Sequence, residues 1–84
     1  MTNYHLQENL SISDSGFLFH ASTGETFTVN ETGKTIIKLL QLKKEKEEIF
    51  SEIEKEFDIE AGLLEKDYDD FINQLKNFSL IERI

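Results

Sequence analysis

The chain contains no cysteine, which excludes disulfides and thiolate-held zinc and leaves packing alone to hold the fold together. A composition without thiols suits a reducing compartment, so the expected location is the cytoplasm. Proline is absent as well, so no strand edge is shielded by a residue lacking a backbone N–H. Basic residues are scarce, nine Lys and Arg against 17 Asp and Glu, and the formal charge of −8 opposes binding to phosphate backbones, whose affinity comes from Lys and Arg displacing counterions. The expected partner is therefore a protein or peptide rather than nucleic acid. No stretch approaches the roughly 18 apolar residues of a membrane span, and the start, MTNYHLQENL, has neither the basic region nor the apolar run of an export signal.

What the chain does have is enough apolar material for a core: 38% hydrophobic residues, seven of them Phe, in 84 residues. A chain of this length buries about 60 to 65% of its unfolded surface and is expected to form one domain over residues 1–84. Tyr4, Leu6, Leu10 and Ile12 share one parity, the pattern of a half-buried strand. Asp14-Ser15-Gly16 suits a tight turn, because Asp bonds its own nearby backbone and Gly tolerates positive φ. Phe17-Leu18-Phe19-His20 follows as a second strand, with Phe17 and Phe19 on one face and Leu18 on the other. Apolar residues of both parities imply a central strand covered on both sides, with Phe17 and Phe19 in the core. Ala21 to Glu25 forms another hairpin loop, and Thr26-Phe27-Thr28-Val29 a third strand with Phe27 and Val29 inward.

At Asn30 the period changes from strand to helix. Asn30 is a good N-cap, and a first helix is expected from Glu31 to Leu42, with Ile36, Ile37, Leu39 and Leu40 buried and Gly33 allowing close packing on the sheet. The run Lys43-Lys44-Glu45-Lys46-Glu47-Glu48 reads as a solvated connection. A second helix carries Ile49, Phe50, Ile53 and Phe57 on one side and ends near Asp58. A third carries Leu64, Tyr68, Phe71, Ile72, Leu75 and Phe78, starting between Ile59 and Glu65 because Gly62 weakens its early turn. The expected fold is α+β: a three-stranded antiparallel meander followed by three helices, similar to a winged helix-turn-helix.

Catalytic and cofactor chemistry finds no foothold in the pattern. His5 and His20 lack cysteine partners and do not share a helical face, so no metal site is expected. Ser13-Asp14-Ser15-Gly16 has no G-x-S-x-G context and reads as a turn. Thr32-Gly33-Lys34-Thr35 has the last letters of a phosphate-binding loop but lacks the first glycine of G-x-x-x-x-G-K-[ST]. An acyl-carrier role would need an all-helical chain with its serine opening the second helix, whereas Asp14-Ser15-Gly16 lies between strands. The expectation is a protein that is not an enzyme and holds no cofactor.

The third strand of a meander is an edge, and Thr26 to Val29 contains none of the Pro, Lys or inward charge with which edges discourage further pairing. A strand added there would lie against the third helix, the arrangement used for peptide capture by β-augmentation. Asp67, Asp69 and Asp70 make that helix a poor reader of DNA. The alternatives are a generic interaction module of a larger assembly and a winged-helix transcription regulator.

Gly16-Phe17-Leu18-Phe19, then Thr23-Gly24 ahead of Thr26-Phe27-Thr28-Val29-Asn30, then Thr32-Gly33 opening a helix, resembles the PqqD-like family, also described as RiPP recognition elements. Phe57-Asp58-Ile59, Asp67-Tyr68, Phe71-Ile72, Leu75 and Leu80-Ile81 continue the likeness over residues 10 to 82. Ser79 stands where the family usually has a glycine, and the Lys43 to Glu48 run replaces a glycine followed by Ser or Thr. The resemblance implies a non-catalytic peptide chaperone that binds the leader segment of a ribosomally made precursor peptide. It would present that peptide to a modifying enzyme such as a radical SAM protein, a protease–cyclase pair or a kinase-like enzyme. It further implies that the backbone of Thr26, Phe27, Thr28 and Val29 pairs with the leader, while Asp67, Phe71, Gln74 and Leu75 form the facing wall. Tyr68 fits either wall or core. A monomer is expected, with an edge-paired or domain-swapped dimer as the alternative at high concentration.

Overall fold

The computed structural model describes residues 4–83, and within them Asn30 divides sheet from helix. Before it lie β1 (Tyr4–Leu6), β2 (Leu10–Ile12), β3 (Phe17–His20) and β4 (Glu25–Thr28); after it come α1 (Glu31–Gln41), α2 (Lys46–Phe57), α3 (Ala61–Asn77) and β5 (Ile81–Arg83). The Asn30 side chain accepts the Gly33 N–H at 2.8 Å, which satisfies one of the donors the first turn of α1 leaves unpaired. β2, β3 and β4 form the expected antiparallel meander with β3 in the middle.

Gly16 makes the first hairpin possible. Its φ is +89°, and a Cβ there would stand 2.6 Å from the Val29 carbonyl oxygen. Val29 in turn donates its N–H to the Gly16 carbonyl at 2.8 Å, continuing the β3–β4 ladder past the end of β4. Lys34 ties the same turn to α1 by donating to the Asp14 carbonyl at 2.8 Å.

The structure shifts two expected boundaries, since α2 takes Lys46 to Glu48 from the expected connection and β4 takes in Glu25 and stops at Thr28. It departs further from the sequence pattern at two places among the strands. The residues from Tyr4 to Ile12 form two strands rather than one, broken by a turn at Glu8 and Asn9. β1 pairs not with the meander but with β5, Tyr4 opposite Arg83 and Leu6 opposite Ile81, and Gln7 N–H donates to the Leu80 carbonyl at 3.0 Å. Burial explains the split. Leu80 and Ile81 lie in the core, and a buried backbone needs a hydrogen-bonding partner, which β1 supplies while adding Leu6.

The second departure concerns β3. Leu18 is the buried residue, at 0% exposure, whereas Phe17 and Phe19 are 55% and 42% exposed. Cross-strand neighbours share a face, and Leu18 stands opposite both Ile12 and Phe27, while Phe17 and Phe19 stand opposite Thr28, Thr26 and Ser11. Turning the phenyl rings inward would carry three hydroxyl side chains into the core and push Ile12 and Phe27 out. The central strand is thus covered on one side only.

Beneath Leu10 and Leu18 the core takes Ile36, Ile37 and Leu40 from α1, Ile49 and Ile53 from α2, and Leu64, Tyr68, Ile72 and Leu75 from α3. Burying each of the large aliphatic side chains among these is worth about 1.5–3 kcal/mol against leaving it in water. Phe50 meets the Tyr68 ring edge-on at 5.0 Å, and the Lys46 ammonium lies over both rings, 5.4 and 5.6 Å from their centres. No helix among the described residues is long and apolar enough to cross a membrane.

Two helices end in the same hydrogen-bonded motif without the glycine that normally permits it. After α3, Ser79 N–H donates to Lys76 and Leu80 N–H to Leu75; after α1, Lys43 N–H donates to Leu40 and Lys44 N–H to Leu39. Ser79 and Lys43 therefore take left-handed backbone, φ 59° and 62°. That conformation costs a residue with a Cβ roughly 1 kcal/mol, partly offset by the smaller freedom it has to lose on folding. Ser79→Gly should accordingly raise stability by about 0.5 kcal/mol, read as a thermal midpoint about 2–4 °C higher.

Tyr68 generates an alkaline expectation. Burial pushes its hydroxyl from 10.0 up to about 12, with the neighbouring Tyr4 and Asp69 adding to the shift. The fold thus favours the neutral phenol, while the unfolded chain ionises near 10. This contribution is complete below pH 10 and is lost as pH rises from about 10 to about 12. In urea titrations across that range, Tyr68→Phe should lose less stability with pH than the wild type.

Candidate functional site

The ladder decides which backbone groups of β4 are free. Because Val29 N–H bonds to Gly16 and the register pairs Leu18 with Phe27 and His20 with Glu25, the odd-numbered residues of β4 direct N–H and C=O toward β3. Those of Thr26 and Thr28 point away from the sheet. Among the described residues no hydrogen bond reaches these outward groups, nor does any strand pair with that edge. The opposite edge is shorter and partly occupied, since Gln41 Nε2 donates to the Leu10 carbonyl at 3.4 Å.

α3 flanks the chain as it leaves β4 and enters α1, touching it at two points. At one, the Phe27 and Phe78 rings meet with centres 4.7 Å apart, tilted by 50°. At the other, Phe71 packs on Gly33, where a Cβ would come within 3.2 Å of the phenyl Cε1 and Cζ. Gly33 therefore serves contact with α3, not with the sheet. From Phe71 to Phe78 a helix rises about 10 Å, so α3 runs antiparallel beside the Phe27-to-Gly33 segment.

Beside the Gly33 contact lies an open cleft of about 250 Å³ lined by Asn30, Thr32, Gly33 and Ile36 from the start of α1 and by Asp67, Asp70, Phe71 and Gln74 from α3. Phe71 gives it an apolar wall, while Asn30, Thr32, Asp67, Asp70 and Gln74 make most of its lining polar, with two carboxylates among them. Lys66 reaches Asp70 at 3.5 Å in an exposed pair that neutralises part of this charge. Asp67 and Gln74 stand on the same stripe of α3 as Phe71, at the i, i+4, i+7 spacing that aligns side chains along a helix.

Three of the four α3 residues expected to face a groove are thus together on the cleft: Asp67, Phe71 and Gln74. Leu75 is not. At 3% exposure it belongs to the core, as does Tyr68 at 2%. Asp69 does not line the cleft, although Asp67 and Asp70 do. Thr26 and Thr28 present their backbone outward, while Phe27 turns its side chain toward Phe78. Asn30 and Thr32 also line the cleft and were missed as lining residues, while Ile36, at 2% exposure, lies beneath it in the core. The N-cap at Asn30 held the available signal, since it sets the first turn of α1 at the end of β4.

A family model for coenzyme PQQ synthesis protein D matches residues 16–81. The chain belongs to the PqqD family. The matched stretch begins at the Gly16 turn and closes at Ile81, so it contains β4, the cleft and all of α3. No curated protein matches the chain. Among solved structures, TbiB1 in complex with the TbiA(beta) leader peptide is 30% identical, with a TM-score of 0.80 over 93% of this chain and 94% of that one. Lasso peptide synthetase B1 complexed with the leader peptide is 20% identical, with a TM-score of 0.78 over 95% of this chain and 98% of that one, and shares the PqqD fold.

Proposed function

We propose that this PqqD-family chain captures the leader segment of a ribosomally made precursor peptide as a strand on the free edge of β4 and holds it for a modifying enzyme, without chemistry of its own. The observation that carries this reading is the outward, unpaired backbone of Thr26 and Thr28 beside a cleft walled by α3. TbiB1, 30% identical over nearly its whole length, is itself in complex with a leader peptide, which supports it. The modifying enzyme would be of a kind such as a radical SAM protein, a protease–cyclase pair or a kinase-like enzyme, and the protein would act as a cytoplasmic monomer.

Energetically the edge offers four backbone groups, each hydrogen bond contributing about 0.5–1.5 kcal/mol net. Side chains of alternate peptide residues turn toward α3, where Phe71 and the Gln74 amide offer apolar and polar contact. The ordering of the peptide offsets part of this gain. Micromolar affinity, about −8 kcal/mol, is the expected range.

Proline replacement separates the two parities of β4. Thr26→Pro and Thr28→Pro remove outward N–H groups, leave the β3 ladder intact, and should fold while losing tenfold or more in affinity for the precursor peptide encoded beside this protein. Phe27→Pro removes the N–H that faces β3 and should instead cost about 1–3 kcal/mol of folding stability. Wild-type binding by both folded threonine variants in an amide NMR titration would sink strand addition.

The cleft carboxylates generate a second expectation. Asp67→Asn and Asp70→Asn should slow association with a basic leader and flatten its salt dependence, whereas Asp69→Asn, off the cleft, should leave both unchanged. The effect belongs to rate more than to affinity, because exposed ion pairs contribute about 0–1 kcal/mol. An identical salt profile for all three variants and the wild type would remove charge from the recognition.

A further inference from the structure

The outer face of the meander is uncharged and aromatic in a chain where 31% of residues are charged. Phe17 and Phe19 stand side by side on β3, 55% and 42% exposed, with Ser11, Thr26 and Thr28 as their cross-strand neighbours. The core does not require them, since Leu18 fills the inner side of the same strand. Neither ring takes part in an aromatic or cation contact among the described residues.

We propose that this face is the docking surface for the enzyme that acts on the captured peptide, and that the bound peptide completes it. The inference rests on the leader-binding reading above. Charge favours such an occupant over a second copy, since two copies would bring a formal charge of −8 against itself. Three strands about 4.8 Å apart and about four residues long make a face on the order of 200 Å², about a quarter of the roughly 800 Å² per partner of a standard interface, so the enzyme must cover ground beyond these strands, the bound peptide included.

Continuity points the same way. A peptide strand on the free edge of β4 extends this sheet, and every second peptide side chain joins the row of Phe17, Phe19, Thr26 and Thr28. The face then widens by about a third, and its new margin is peptide. An enzyme seated there touches the rings and the peptide at once, so it binds the loaded protein better than the empty one. By linkage, the enzyme tightens peptide binding by the same factor. The occupant's own surface is an apolar centre with a basic rim, drawn by the net negative charge of this chain.

The test uses the purified protein with the precursor peptide and the modifying enzyme encoded beside it. Phe17→Thr/Phe19→Thr removes the rings and keeps residues that favour strands; Phe17→Lys, which leaves Phe19 in place, serves as the second variant should the first fail to fold. Three quantities are measured for each: leader affinity by NMR titration, enzyme affinity with and without leader by biolayer interferometry, and the rate of precursor modification at limiting protein. The expected result is leader affinity within twofold of wild type, enzyme binding weakened tenfold or more, and modification slowed in proportion. Wild-type enzyme binding and modification rates in the folded variants would overturn the proposal, as would a parallel loss of leader affinity. Wild-type enzyme binding that ignores the leader would overturn the composite face, and a wild-type dimer in sedimentation that the variants abolish would assign the face to a second copy. Absence of leader binding by the wild type would defeat the leader reading instead, and the enzyme-affinity comparison without leader would still judge the face.

Discussion

Leu18 turns inward, and most of the functional geometry follows from that one choice of face. Strand side chains alternate, so an inward Leu18 puts Phe17 and Phe19 on the outside and brings Ile12 and Phe27 to the inside through the cross-strand register. Phe27 then reaches Phe78 at the end of α3. The opposite choice would have buried hydroxyls, exposed Ile12 and Phe27, and removed the contact that sets α3 beside β4.

The backbone of β3 imposes the complementary constraint. Its residues alternate between bonding β2 and bonding β4, so every strand-directed group of β3 is used and the vacant positions are exported to β4. Thr26 and Thr28 inherit them. α3 is fixed beside this edge by two contacts, Phe27 with Phe78 and Gly33 with Phe71, and neither uses the outward backbone of Thr26 or Thr28. A larger residue at position 33 would meet the Phe71 ring that forms part of the cleft.

Acidity has two separate places in the molecule. Much of the negative charge is scattered over solvated helix faces, where Lys44 and Glu48 form an exposed pair and Glu31 meets a half-buried Lys34, each pair one helical turn apart. Asp67 and Asp70 differ in lining a concave site beside the Phe71 ring, so the same residue type has a different physical context within one helix. The outer sheet face has no charge in its row at all. One small chain therefore presents an acidic cleft and a neutral aromatic face on either side of a single strand.

The amino-acid sequence by itself determined the order of strands and helices, the switch of period at Asn30, the apolar sides of the three helices and the unprotected character of the β4 edge. These are local properties, set by alternation, helical spacing, capping chemistry and turn residues, and a single chain segment carries enough information for each. Only the tertiary structure decided which face of Phe17-Leu18-Phe19 is inside, because both parities are apolar and the answer lies with Ile12, Phe27 and Thr28 on other strands. It likewise split Tyr4 to Ile12 into two strands, since the partner that captures β1 is some 75 residues away at β5. On α3, Asp67, Phe71 and Gln74 face the cleft while Tyr68 and Leu75 enter the core. Their stripes are adjacent on the helix, and spacing alone does not say where one ends, because the boundary is drawn by the elements packed against it.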